Sequence, residues 1–311
     1  MVTTLQPSNT VAFPAPKRPV SRESETHQDQ HLELRLKLSN LLQTTLELNQ
    51  LLQLFFEEAQ RNLAISSLSY QNDKLNHSID LGNSAKHSCH YKLITSQDSL
   101  GGIVLSRHKR FSENDLQLLE VLISCLIYPV RNALIYRDAV QSALRDPLTG
   151  SGNRLALENT LAREVALAKR NKLPLAILVV DIDRFKRIND KHGHTAGDCV
   201  LKNISRILSQ CSRGTDATYR AYRFGGEEFV LLLNNTSIAG AEMVAERIRQ
   251  YVENTATTFE EFSIKVTVSI GLAALTETDT MASLFSRADK ALYQAKKDGR
   301  NTVVNAEKIG L

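Results

Sequence analysis

Leu175-Ala-Ile-Leu-Val-Val-Asp-Ile-Asp183 is an apolar run of strand length that ends on acids, and Arg223-Phe-Gly-Gly-Glu-Glu-Phe229 is a glycine turn that carries two more. The first stretch is apolar at every position from Leu175 to Val180, as expected of a strand buried on both faces. The second stands between Ala221–Phe224 and the apolar Phe229–Leu233, the pattern of a hairpin turning at its glycines. Helical patterns surround both: Leu155 to Arg170, about Ala196 to Gln210, Ser237 to Glu253 and Met281 to Lys297, with a further strand over Ile264 to Gly271. The order is βαββαβ with additions, a ferredoxin-like layout, and the fold class is α/β (α+β).

Adjacent central strands of such a sheet would bring Asp181 together with Glu227 and Glu228. Two carboxylates ~4 Å apart repel by roughly 4 kcal/mol at an effective dielectric near 20. A hard divalent cation relieves that repulsion, and Mg²⁺ held by one or two carboxylates plus substrate phosphates is the usual arrangement. Such an ion activates a hydroxyl and stabilises a leaving pyrophosphate. Gly225 and Gly226 let a bulky ligand approach the backbone closely. Each piece alone has a plainer meaning, since acids after a strand often cap a helix and a Gly-Gly turn is often only a hairpin. Their combination at sheet spacing points to a site.

Four ordered segments carry a family resemblance. Asp146-Pro-Leu-Thr-Gly-Ser-Gly-Asn-Arg154 resembles an opening D-x-L-T-G-L-x-N-R, with Ser151 in place of Leu. Asp181-Ile-Asp-Arg-Phe-Lys-Arg-Ile-Asn-Asp-Lys-His-Gly-His-Thr-Ala-Gly-Asp198, Gly225-Gly226-Glu227-Glu228-Phe229 and Ala288 to Asn301 supply the others. Together they resemble the GGDEF-type diguanylate cyclase family over residues 145 to 305, about half the chain, in its GGEEF form.

The resemblance implies a nucleotidyl cyclase-type domain that condenses two GTP into cyclic di-GMP and two pyrophosphates. It implies Asp181 and Glu227 as ligands of Mg²⁺ or Mn²⁺, helped by the Ile182 carbonyl, and Glu228 as the group that deprotonates the ribose 3′-hydroxyl or holds a second metal. Asn189 and Asp198 would read the guanine edge, and Phe185 and Lys186 would lie in the turn that cradles phosphates. Lys296 and Arg300 would clamp the terminal phosphates, and His194 would brace the loop or touch the ribose. Cations at a helix end also have a plainer role against the helix dipole. A homodimer is implied, because two half-sites must face each other. Family members often carry a product-binding R-x-x-D whose Asp stands six residues before the first signature glycine. That position is Tyr219 here and the Arg position is Asp216, while Arg213-Gly-Thr-Asp216 stands three residues early. The inhibitory site is expected to be absent or weakened. A catalytically silent receptor for GTP or cyclic di-GMP, or a cyclase of another nucleotide, is the competing reading.

Outside 141–311 the sequence is less specific. Residues 1–28, with Pro7, Pro14, Pro16 and Pro19 among Ser, Thr and Gln, are expected to be a disordered tail. Leu34, Leu38, Leu41, Leu48, Leu52 and Phe55 predict one amphipathic helix of about eight turns, packed on its own domain or pairing with a second copy. Ala64–Tyr70, Cys89–Thr95 and Gly102–Ser106 predict strands, and Ser112-Glu-Asn-Asp115 a helix start leading to about Leu144, with Pro129 inside it. This layout over 29–140 resembles a smaller α+β GAF-like sensory domain joined by a long helix to the catalytic one, open to a regulatory protein or small ligand. His87, Cys89 and His90 lack the paired spacing of a metal site.

Composition sets the outer limits. The net charge of +4, without basic blocks interleaved with aromatics, argues against nucleic acid. The longest apolar stretch, Leu118 to Val130, is broken by Glu120 and Pro129, so no membrane span is expected. Four irregularly spaced cysteines and no apolar leader suggest a reducing cytoplasm.

Overall fold

A computed structural model describes residues 22–72, 77–96, 98–211 and 219–310. The chain divides into two compact units, Met1–Gln141 and Ser142–Leu311.

In the first unit, helix α1 (Arg22–Leu42) begins inside the stretch expected to be a tail, and helix α2 (Leu48–Leu63) follows it. The single eight-turn helix is therefore corrected to two. The break has a local cause: Thr44 Oγ1 donates to the Leu41 carbonyl, and Thr45 Oγ1 accepts from the Glu47 amide at 3.1 Å. Such side-chain bonds compete with the helical ladder. The break lets Leu38, Leu42, Leu48, Leu52 and Phe55 share one core. The apolar seam is thus spent inside the unit.

Strands β1 (Ser67–Asn72), β2 (His77–Gly82), β3 (His87–Ile94) and β4 (Ser99–Arg107) form an antiparallel sheet ordered β2-β1-β4-β3. Along β3 the side chains alternate, so Cys89 is half-buried while His90 is exposed on the opposite face. Among the described residues no group of three or more His, Cys, Asp or Glu could hold a metal ion. Helix α3 (Glu113–Ala143) starts at the expected Ser112, whose amide donates to Asp115 at 2.8 Å. By length and composition it is apolar enough to cross a membrane, against the expectation from Glu120 and Pro129. In the fold, however, Leu119, Leu122, Leu126, Val130 and Ala133 are buried in the core of this unit. Tyr128, Ile135, Tyr136 and Val140 stand exposed on its other side.

The second unit starts with helix α4 (Arg154–Asn171), capped by Asn153, whose side chain accepts from the Ala156 amide. Strand β5 (Leu175–Ile182), helices α5 (Phe185–His192) and α6 (His194–Cys211), strands β6 (Tyr219–Gly225) and β7 (Glu228–Asn234) and helix α7 (Ile238–Asn254) follow. The strand expected over Ile264 to Gly271 is split. A hairpin of β8 (Ala256–Phe259) and β9 (Phe262–Lys265) precedes β10 (Val268–Ala274). Helix α8 (Met281–Lys297) and strand β11 (Val303–Asn305) close the unit.

The main sheet is ordered β11-β10-β5-β7-β6. Its strands β10-β5-β7-β6 have the ferredoxin-like arrangement, with β5 antiparallel to both β7 and β10. Every residue of β5 is buried, because helices cover both faces. Residues 212–218, which include Arg213 and Asp216, lie outside the described residues.

Candidate active site

The site forms where β5 leaves the sheet. Asp181 pairs in register with Glu228 on β7 and with Ser269 on β10, and the Ile182 amide donates to the Glu227 carbonyl at 3.3 Å. Two strands therefore bring three carboxylates to one edge, as the strand adjacency implied. Asp181 is buried and Glu227 and Glu228 are half-buried. Burial pushes the pKa of all three up, and for Glu227 and Glu228 the charge of Asp181 adds to it. Opposing this, Lys296 Nζ lies 2.8 Å from Asp181 Oδ2. One ammonium does not balance three carboxylates, so the edge is under-neutralised.

The turn is held from outside. Arg223 donates through Nε and Nη2 to the Gly226 carbonyl, at 3.1 and 2.8 Å, and through Nη1 to both oxygens of Asp146 at 3.1 Å. Burial alone would raise the Asp146 pKa, but bonds from Thr149 and Arg223 pull it below the ordinary value. Above the turn there is room: a methyl added at Gly225 or Gly226 would meet nothing within 4 Å. The protein's own packing therefore does not demand glycine at Gly225, and a ligand approaching the backbone would.

A second patch lies between α5 and α6. Asn189 Oδ1 is buried and has no hydrogen-bond partner. A methyl at Gly197 would lie 1.9 Å from that oxygen and 3.1 Å from the Phe185 ring, so the glycine permits the close approach of the two helices. A buried acceptor without a donor calls for an explanation, and an absent ligand supplies one. Asp198 is half-buried on the same helix pair.

The residues expected at the site are thus distributed unevenly. Asp181, Ile182, Glu227, Glu228 and Lys296 meet at one edge, and Arg300 acts on Asp181 electrostatically. Phe185 is buried in the core, which leaves its backbone rather than its ring to face a ligand. Lys186 and His194 are exposed.

Asp183 was passed over by sequence reasoning. It is buried and accepts from Thr267 Oγ1 at 2.7 Å, Ser269 Oγ at 2.6 Å and the Asn301 amide at 3.0 Å. It ties β5, β10 and the segment after α8 together and so places Lys296 and Arg300. Its partners are more than eighty residues away in sequence, and no local pattern announces them. Arg223 was missed as well, although it stands two residues before the signature glycines.

The family model "Diguanylate cyclase, GGDEF domain" matches residues 143–302. The chain belongs to this GGDEF family. Diguanylate cyclase A of Treponema denticola is 47% identical over 133 residues, 42% of this chain and 35% of that protein. Diguanylate cyclase DgcS of Shewanella oneidensis is 40% identical over 186 residues, 60% of each chain. The GGDEF match thus spans less than two thirds of these curated relatives' own length.

Among solved structures, the coiled coil and GGDEF domain of DgcB from Caulobacter crescentus in complex with c-di-GMP matches with a TM-score of 0.54 and 27% identity. That match covers 62% of this chain and 100% of the other. Diguanylate cyclase SiaD of Pseudomonas aeruginosa, in complex with its activator SiaC, matches with a TM-score of 0.52 and 33% identity, covering 62% and 75%. The family match falls within the second unit, and that unit carries the assignment.

Proposed function

We propose that the chain is a diguanylate cyclase that joins two GTP molecules into cyclic di-GMP, one GTP being held by each of two GGDEF units. The observation that carries this reading is the in-register placement of Asp181 against Glu228 at an open glycine turn, inside a family-matched segment. Asn189 and Asp198 hold the base. Guanine offers a pair of N–H donors that adenine lacks, and an unpaired buried acceptor discriminates strongly against a ligand without them. Lys296 and Arg300 take the terminal phosphates. Glu228 accepts the proton of the ribose 3′-hydroxyl; the oxygen bonds to the α-phosphorus of the second GTP, and pyrophosphate leaves.

The under-neutralised edge of Asp181, Glu227 and Glu228 fits a divalent cation, Mg²⁺ or Mn²⁺, which would polarise the phosphate under attack. The carboxylates do not form a complete cage among the described residues, which suits an ion that takes its remaining ligands from phosphates and water.

The two-fold symmetry of the product requires two units facing each other. The exposed Tyr128, Ile135, Tyr136 and Val140 of α3, with the exposed Leu32 and Leu36 of α1, are apolar surface available for a second copy, whereas Leu38, Leu42, Leu48, Leu51 and Leu52 are buried within one chain. The first unit, GAF-like in layout, would control that encounter on binding a small molecule or protein. The activator complex of the related SiaD supports control by a protein. Free thiols at Cys89, Cys125, Cys199 and Cys211 and the GTP substrate suit the cytoplasm.

The test is GTP turnover with Mg²⁺, read as cyclic di-GMP by chromatography, for the wild type beside Glu228→Gln. The reading predicts product from the wild type and none from the variant. GTP binding without product from either, at concentrations that saturate the dimer, would favour the receptor reading instead.

A further inference from the structure

The base-reading patch uses one side of α5; the other side borders a cleft that the cyclase reading uses only at Arg300. Arg187, Ile188 and Lys191 lie on that side, and Arg184, which caps the helix, continues it. With His192, Lys265 and Arg300 they line a cavity of about 780 Å³ closed by β9, the Val266–Thr267 link that follows it, the end of α7 and the segment after α8. None of these six basic side chains has an ion-pair partner among the described residues.

The two acids of the cleft are already engaged. Asp183 is used by Thr267, Ser269 and the Asn301 amide, and Glu253 accepts from Arg249 at 2.8 Å and from Asn301 at 2.7 Å. Apart from Arg300, whose charge acts on Asp181, the basic residues of the cleft have no free acid among its lining residues. The wall also holds the apolar Ile188, Ile264 and Val266. Three non-glycine residues of the cleft, Arg184, Arg300 and Asn301, have left-handed backbones with φ of 57°, 68° and 47°. Such conformations cost free energy and cluster at ligand-binding positions.

We propose that this cleft is a second anion site that binds a small molecule bearing a polyphosphate, such as a nucleoside polyphosphate. The phosphates would lie on the basic rim, and the apolar wall would take a base if one is present. A cavity of this size is within the range of small-molecule sites. Arginine forks and lysine ammonium groups suit phosphate oxygens. Arg300 borders both this cleft and the Asp181 edge, so an occupant would compete for a cation that the catalytic site also uses. The inference stands beside the cyclase reading and does not require it.

The test uses the full chain without metal, titrated calorimetrically with ATP and, separately, with inorganic triphosphate. ATP lacks the donor pair that the Asn189 patch would read, and Lys296→Ala separates binding at the phosphate clamp of the catalytic edge from binding in the cleft. The triple variant Arg187→Gln, Lys191→Gln, Lys265→Gln changes only exposed, unpaired side chains. Its affinity for both ligands should fall at least about tenfold, with unchanged melting temperature, because each lost charge-assisted bond is a large part of such a site. Lys296→Ala should leave ATP binding in place. ATP binding tighter than triphosphate would identify a nucleotide as the source, and equal binding a bare polyphosphate. Unchanged affinity in the triple variant, or a loss that follows Lys296→Ala instead, would overturn the site. GTP turnover is read separately, so failure of the cyclase reading leaves this result interpretable.

Discussion

Asp181 and Asp183 stand two residues apart, are about equally buried, and are used in opposite ways. Asp183 accepts three hydrogen bonds from two hydroxyls and a backbone amide. Asp181 pairs with the flexible end of Lys296, and burial together with the Asp181 charge holds the pKa of the neighbouring Glu227 and Glu228 up. A third buried carboxylate, Asp279, resembles Asp183: it accepts from Thr276, Ser283 and Arg287. Satisfied carboxylates of this kind hold the fold. Under-satisfied ones cost stability and are retained for what they will bind.

The contrast breaks most sharply on activity. Asp181→Asn should lower cyclic di-GMP formation by about a thousandfold or more, as expected when a metal-binding and charge-stabilising group is lost, with little change in melting temperature. Arg223→Ala should cost turnover about a hundredfold. It frees the Gly226 carbonyl and leaves Asp146 without its cation, so the turn that carries Glu227 and Glu228 loses its outer support. A hydrogen-exchange rise confined to the β6–β7 turn would confirm the cause.

Gly197→Ala sharpens the comparison at the base-reading patch. The added methyl must displace Asn189, so KM for GTP should rise at least about tenfold while the fold persists. An unchanged KM would remove Asn189 from the site.

The smallest effect on turnover is expected at Asp279. Asp279→Asn should destabilise the second unit by about 2 kcal/mol, measured by urea unfolding, because it removes the more buried of the two carboxylates that hold Arg287 and leaves Glu307 as the other. Burial alone would raise the pKa of Asp279, but bonds from Arg287, Thr276 and Ser283 hold it at about 2, below the ordinary 3.8. A depressed folded-state pKa contributes stability above pH 3.8 that is lost as the pH falls toward 2. The wild type should lose that increment across this window, and Asp279→Asn should not.

Much of the second unit was legible because its signals are local. The unbroken apolar run of β5 and the glycine turn between β6 and β7 each specify their element from a few neighbouring residues. The carboxylate edge was legible because strand adjacency follows from the βαββαβ order. Asp183 and Arg223 were not, because their partners come from other parts of the chain. In the first unit the leucine repeat suggested one helix. Periodicity reports a buried face but not whether the chain folds back on it, and that was decided by the side chains of Thr44 and Thr45. Strand β2 was overlooked because its His-Ser-Ile-Asp-Leu-Gly alternation carries only two apolar residues.

The most direct test of the account measures GTP turnover and thermal melting together for the wild type, Asp181→Asn and Asp183→Asn. The account predicts cyclic di-GMP from the wild type, a folded but inactive Asp181→Asn, and an Asp183→Asn whose melting temperature falls. Asp181→Asn turning over GTP at the wild-type rate would contradict the assignment of the site.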